Sequence, residues 1–143
     1  MCRLFVGADA ALWQTRLKSV RMRGYSTSIR LENLYWRILE EIALRDGMTL
    51  MQLLTRLHEE LQEAHGEVDN FSSFLRVCCG RYLALQLAGD VPRDCAVPIR
   101  ALDAEGILAR EALRRDAGRV RQAARGRAEP PAQRTSLSGA PVS

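Results

Sequence analysis

Two histidines, His58 and His65, stand seven residues apart with Glu59 and Glu63 nearby, residue types that can ligate a metal. If one helix carries both, two turns separate them by about 10 Å, too far for a single ion without other ligands, and surface histidines are the better reading. Cys78 and Cys79 could form a redox pair. Adjacent residues on a helix point about 100° apart, however, and cysteine is a common small core residue. Tyr35 and Trp36 could stack on bases, yet Trp36 belongs to an apolar stripe at helical spacing and reads as core. No Ser-His-Asp order, glycine-rich phosphate loop or paired-carboxylate spacing supports catalysis. An enzyme is therefore not expected, and neither a metal nor a cofactor is assigned.

What remains is charge. Residues 1–31 carry six basic groups and one acid, a balance of +5; residues 32–89 carry five and nine, −4; residues 90–143 carry ten and seven, +3. Basic groups gathered near one element suit an anionic partner, of which nucleic acid is the commonest. A well-solvated arginine-rich surface accounts for the same distribution.

The 143 residues suffice for one core plus extensions, and 47% apolar content argues against a wholly disordered chain. No apolar run approaches the roughly 20 residues of a membrane-spanning helix, and MCRLFVGADAALW, broken by Gly7 and Asp9, is a poor secretory signal. The expectation is a cytoplasmic protein with no membrane partner. Its four cysteines (Cys2, Cys78, Cys79, Cys95) lack CxxC spacing and read as reduced thiols.

The elements that must position these groups divide the chain at residues 16, 89 and 125. Residues 1–16 form a lead-in, in which RLFV could make a short strand and Asp9 could cap a helical turn. Residues 17–89 hold the core. Two alternating runs, SVRMR (19–23) and STSIRL (26–31), flank Gly24-Tyr25 and predict a hairpin with a type II′ turn. In that register Val20 faces Ile29 and Met22 faces Thr27 on an apolar side, while Arg21 faces Ser28 and Arg23 faces Ser26 on a polar one. An isolated hairpin is marginal in water, so the free edge of 26–31 calls for a partner strand, best supplied by a second copy of the chain.

Three helices follow. The first runs from about Asn33 to Asp46, with Trp36, Leu39, Ile42 and Ala43 on its stripe and Glu40, Glu41 and Arg45 off it. Gly47 supplies its left-handed stop. Thr49 and Gln52 form a capping box for the second, whose Leu50, Leu53, Leu54, Leu57 and Leu61 share a face. The third begins near Asn70 or Ser72 and repeats Phe71, Phe74, Leu75, Cys78, Tyr82 and Leu85. Residues 90–125 read as a linker and a weakly amphipathic helix capped by Asp103, and 126–143, rich in Pro, Ser, Gly and Ala, as a disordered tail.

An alternating strand ending S-I-R-L, a helix with W-x-x-L-x-x-I-A, a G-x-T turn and a second helix with L-L-x-x-L together resemble the ribbon-helix-helix DNA-binding domain family. The likeness covers about Ser19 to Leu61. Through N-F-S-S-F-L-R-V it extends to a largely uncharacterised bacterial subgroup with a third helix, over about residues 2–87. The resemblance implies a mainly α fold with a short β-ribbon: an intertwined homodimer in which each chain gives a strand to an antiparallel ribbon that enters the DNA major groove, here with a third helix and a C-terminal extension. It makes Ser26, Ser28 and Arg30 the base-contacting positions. The start of the second helix (Thr49, Leu50, Met51) and Arg21 and Arg23 become phosphate contacts. Two of the three reading positions are serine, and Glu32 follows the strand directly.

The function this implies is a transcriptional regulator that binds duplex DNA as a homodimer. The alternative is a dimeric, antitoxin-like adaptor without sequence-specific DNA binding, engaging a protein partner through its third helix or its C-terminal tail.

Overall fold

A computed structural model describes residues 2–128. It opens with a short helix, α1 (Cys2–Val6), and a 3-10 turn over Ala10–Leu12, whose start is capped by the Asp9 carboxylate accepting from the Ala11 amide at 3.0 Å. RLFV is thus helical and not a strand. Two strands follow, β1 (Thr15–Met22) and β2 (Tyr25–Glu32), then α2 (Asn33–Arg45), α3 (Leu50–His65), α4 (Phe71–Leu87) and α5 (Ala104–Ala128).

The strands form a hairpin of eight antiparallel pairs running from Thr15–Glu32 to Met22–Tyr25. Its turn is Arg23-Gly24 and not Gly24-Tyr25: φ is 48° and 82° at these two residues, the positive pair of a type I′ turn. Tyr25 thereby joins the ladder, which opens at Thr15, inside the stretch expected to be lead-in. The expected pairing is displaced by two residues, so Val20 faces Thr27 and Ser19 faces Ser28. Because side chains alternate with a period of two, a shift of two leaves every residue on its expected face. Val20, Met22, Ile29 and Leu31 are buried as foreseen.

Below that face α2 contributes Trp36, Ile38, Leu39 and Ala43, α3 contributes Leu53 and Leu54, and α4 contributes Leu75, Cys79 and Tyr82 to one core. Burying an aliphatic or aromatic side chain of this kind is worth roughly 1.5–3 kcal/mol each. Local signals set the helix ends. Gly47 has φ 67° after α2, and at α3 the Gln52 amide donates to Thr49 Oγ1 at 3.2 Å while the Thr49 amide donates to Gln52 Oε1 at 2.9 Å. Asn70, itself left-handed, caps α4 by accepting from the Ser73 amide at 3.2 Å.

The segment after α4 departs from the linker expected from residue 90. Val91 joins the core, and Ile99 and Leu102 pack against it. Arg45, expected off the buried stripe, is only 5% exposed and holds this strap from beneath. Its Nε donates to the Val97 carbonyl at 2.6 Å, and its Nη2 donates to the carbonyls of Pro92 and Asp94 at 2.7 and 3.0 Å. Next to it, the Asp46 carboxylate accepts from the Ile99 amide at 2.6 Å, and Arg100 donates back to the Asp46 carbonyl at 3.0 Å. The apolar stripe failed to show this role because a guanidinium can be buried when backbone carbonyls satisfy its donors.

The chain divides into two units, residues 1–102 and 103–143. The second consists of α5 among the described residues; Asp103 caps it, accepting from the Gly106 amide at 3.1 Å. The helix continues three residues into the stretch expected to be tail, and the rest of that stretch, from 129, lies outside the described residues. No helix among the described residues is long and apolar enough to cross a membrane.

Candidate nucleic-acid interface

Of the sequence-derived site residues, the ribbon set comes together. Ser26, Ser28 and Arg30 project from the outward face of β2, and the ladder places Arg21, Ser19 and Leu17 of β1 opposite them in turn. Alternate residues repeat every 6.5–7 Å, so this polar strip is about 13 Å long. All six residues are exposed. Arg30 Nη1 donates to Thr15 Oγ1 at 3.4 Å, a long contact that leaves the other guanidinium donors for an outside acceptor. The first residue of the turn, Arg23, holds an exposed guanidinium beyond the end of the ladder.

The expected set omits Leu17, which lies before the alternating run that starts at Ser19 and is found by extending that run back through T-R-L-K; Ser19 lies within the run but had no partner assigned in the expected register. Leu17 is 54% exposed, a lone apolar side chain opposite Arg30.

On the other side of the ribbon, β1 meets α2 through Arg16 and Lys18. Trp36 is fully buried, and its indole N–H donates to the Arg16 carbonyl at 3.0 Å. Lys18 lies over the Trp36 ring, 5.3 Å from its centre, and 3.5 Å from Glu40. Glu32, the last residue of β2 and in alternation with Ser26, Ser28 and Arg30, is held by Arg76 of α4, whose Nε and Nη2 donate to its carboxylate at 2.9 and 3.2 Å. The Arg76 hydrogen bonds hold the Glu32 carboxyl below its usual range. Its negative charge is thus compensated within the fold.

The predicted phosphate set at the start of α3 is a separate place. Thr49 and Gln52 satisfy each other's amides, and the first-turn amides of Leu50 and Met51 point beyond the helix end, where the dipole is positive. Met51 and Gln52 border a cleft of about 560 Å³ lined also by Arg56, Glu59 and Arg100, with no ribbon residue among its walls. The hairpin tip meets α3 further along: Met22, Arg23, Tyr25 and Thr27 face His58 and Gln62 across a hollow of about 310 Å³. His58 and Gln62 lie roughly 12–18 Å along the axis from Leu50. Within one chain, then, the two sets line different hollows.

The remaining candidates settle into structural roles. His58 packs edge-on against Phe71 with ring centres 5.1 Å apart, and His65 is exposed in the last turn of α3. Cys79 is fully buried, and burial pushes its thiol up to about 12, so it is not a thiolate at neutral pH. Burial raises the Cys78 thiol too.

A two-stranded ribbon laid on a pair of helices joined by a glycine turn, with a polar outward strip and an apolar inward one, defines a ribbon-helix-helix domain. Residues 15–83 match the model of the ribbon-helix-helix domain family, and the chain belongs to that family. A solved structure similar to it is that of an uncharacterized protein from Bordetella pertussis Tohama I. The identity is 51% and the TM-score 0.74, over 76% of this chain and 86% of that one. No curated protein matches.

Proposed function

We propose that this protein is a transcriptional regulator that binds duplex DNA as a homodimer, with its ribbon in the major groove. The observation that carries the reading is the outward strip itself: Ser26, Ser28 and Arg30 on one strand with Arg21 opposite, exposed and backed by a buried apolar face. Arginine suits guanine O6 and N7, the serines accept or donate to any base edge, and Leu17 offers apolar contact to a thymine methyl.

Both strands of the ribbon come from one chain, and the far edge of β2 pairs with no strand among the described residues. A second copy adding antiparallel at that edge would set the two β2 strands side by side, with the β1 strands flanking them. Four strands span about 14 Å against a groove about 12 Å wide. The central pair therefore reads bases, while Arg21 and Arg23 on the flanks and turns reach phosphates. The amides of Leu50 and Met51 at the head of α3 are phosphate contacts of the same dimer.

Titration of mixed duplex DNA across a salt series tests this, with Arg30→Ala alongside. Affinity should fall steeply with salt, and the substitution should weaken binding about 5- to 150-fold, the range of one bidentate base contact. Salt-independent binding unchanged by Arg30→Ala would instead favour the second reading, a dimeric adaptor for a protein partner. Exposed Leu83 and Leu87, one turn apart on α4, support that alternative.

A further inference from the structure

The helix α5 carries seven arginines (110, 114, 115, 119, 121, 125 and 127) and three acids, Glu105, Glu111 and Asp116. Its last twelve residues, 117–128, hold four of the arginines and no acid. At about 100° per residue, Arg110, Arg114, Arg121 and Arg125 fall within about 60° of the helix circumference and extend along about 22 Å of its axis. On the same wheel Glu105 and Asp116 lie on the far side, and Glu111 lies about 40° past the edge of the stripe. Cations near a helix C-terminus are favoured by the dipole, which accounts for Arg125 and Arg127. It does not account for Arg121, which stands before the last turn.

Leu108, Leu113 and Val120 are exposed; Leu113 and Val120 lie about 20° apart on the wheel and Leu108 about 140° from Leu113, so two large apolar side chains share a face beside four arginines on the stripe. A narrow cationic stripe of this length matches a sugar-phosphate backbone, which presents a charge every 1.7 Å of duplex axis.

We propose that α5 is a second DNA-contacting element, an arm whose arginine stripe binds duplex phosphates independently of sequence and adds to the contacts of the ribbon. The proposal rests on the reading that this chain binds duplex DNA. Its binding term is electrostatic, so it raises affinity for every duplex equally and leaves discrimination to the ribbon.

The test is the full chain carrying R114Q, R121Q and R125Q, titrated with mixed duplex DNA over the same salt series as Arg30→Ala. Glutamine keeps helix propensity, and circular dichroism checks that helix content is unchanged. The triple variant should lose about 2–3 from the slope of log affinity against log salt, at about 0.9 per phosphate, with equal loss on unrelated duplexes. An unchanged slope in the triple variant, while Arg30→Ala still weakens binding, would overturn the arm and leave the ribbon reading standing. The converse pattern, loss in the triple variant with Arg30→Ala silent, supports the arm and overturns the ribbon. Loss of attachment to phosphatidylserine vesicles with unaltered DNA isotherms would also overturn the proposal, in favour of a membrane surface.

Discussion

At the scale of single residues, Arg23 is the position where local preference and observed conformation disagree. It holds φ 48° in the first place of a two-residue turn, where asparagine followed by glycine is the favoured pair and a long side chain pays a left-handed penalty. Gly24, the second place, is what the turn requires. Arg23→Asn should therefore raise the urea midpoint slightly, by about 0.5–1 kcal/mol in stability, while lowering the salt slope of DNA binding by about 0.9. A variant that gains stability and keeps the full slope would remove Arg23 from the phosphate contacts. Ser26, Ser28 and Arg30 were readable as a set from alternation alone, because period two survives any even shift of register. Leu17 escaped through where the alternation was taken to begin. The clasping role of Arg45 had no signal at all: its acceptors are main-chain carbonyls, which every sequence possesses.

At the scale of elements, helix ends were legible and the pairing of strands was not. Thr49 with Gln52, Asn70 with Ser73 and Gly47 after α2 are signals that act within three or four residues, and each sits where the spacing put it. The hairpin register depended on which two residues formed the turn, and both candidate turns sorted the faces identically. The strap from 90 to 102 was read as linker because Pro92 and Pro98 punctuate it and its apolar residues show no period. What fixes it is Arg45 on α2, some fifty residues away, which gives three hydrogen bonds to its carbonyls and a fourth to the Tyr82 hydroxyl at 3.3 Å. Tyr82 in turn donates to Glu41 at 2.7 Å, so α2, α4 and the strap are tied through one guanidinium. Arg45→Ala leaves the carbonyls of Pro92, Asp94 and Val97 without this donor and should cost about 1–3 kcal/mol, read as a lowered urea midpoint. Arg45→Lys should recover only part of it, since an ammonium cannot span the same carbonyls. A midpoint unmoved by Arg45→Ala would show that the strap is held by its apolar contacts alone.

At the scale of the whole molecule, the open edge of β2 and the modest core beneath the ribbon bear on how many chains make a working unit. A hairpin edge of this length left bare is a template for a further strand, and burying it in a two-fold partner removes that exposure. If two chains complete each other, the melting temperature should rise with protein concentration, and light scattering should give twice the monomer mass at micromolar concentration. A compact monomer with a concentration-independent melting temperature would remove the four-stranded groove reading while leaving α5 and its arginines open to the salt test. The family of the chain was legible from its motifs. The extent of the first unit was not, because residues 90–102 carry no family signature.

The strap has a practical corollary for anyone cutting this gene. The recognisable motif stops at residue 83, but a fragment trimmed there, or at the end of α4, would strip away Val91, Ile99 and Leu102 and strand the Arg45 guanidinium over an uncovered hydrophobic floor. Expression boundaries and fusion junctions belong after Leu102, where the natural seam lies.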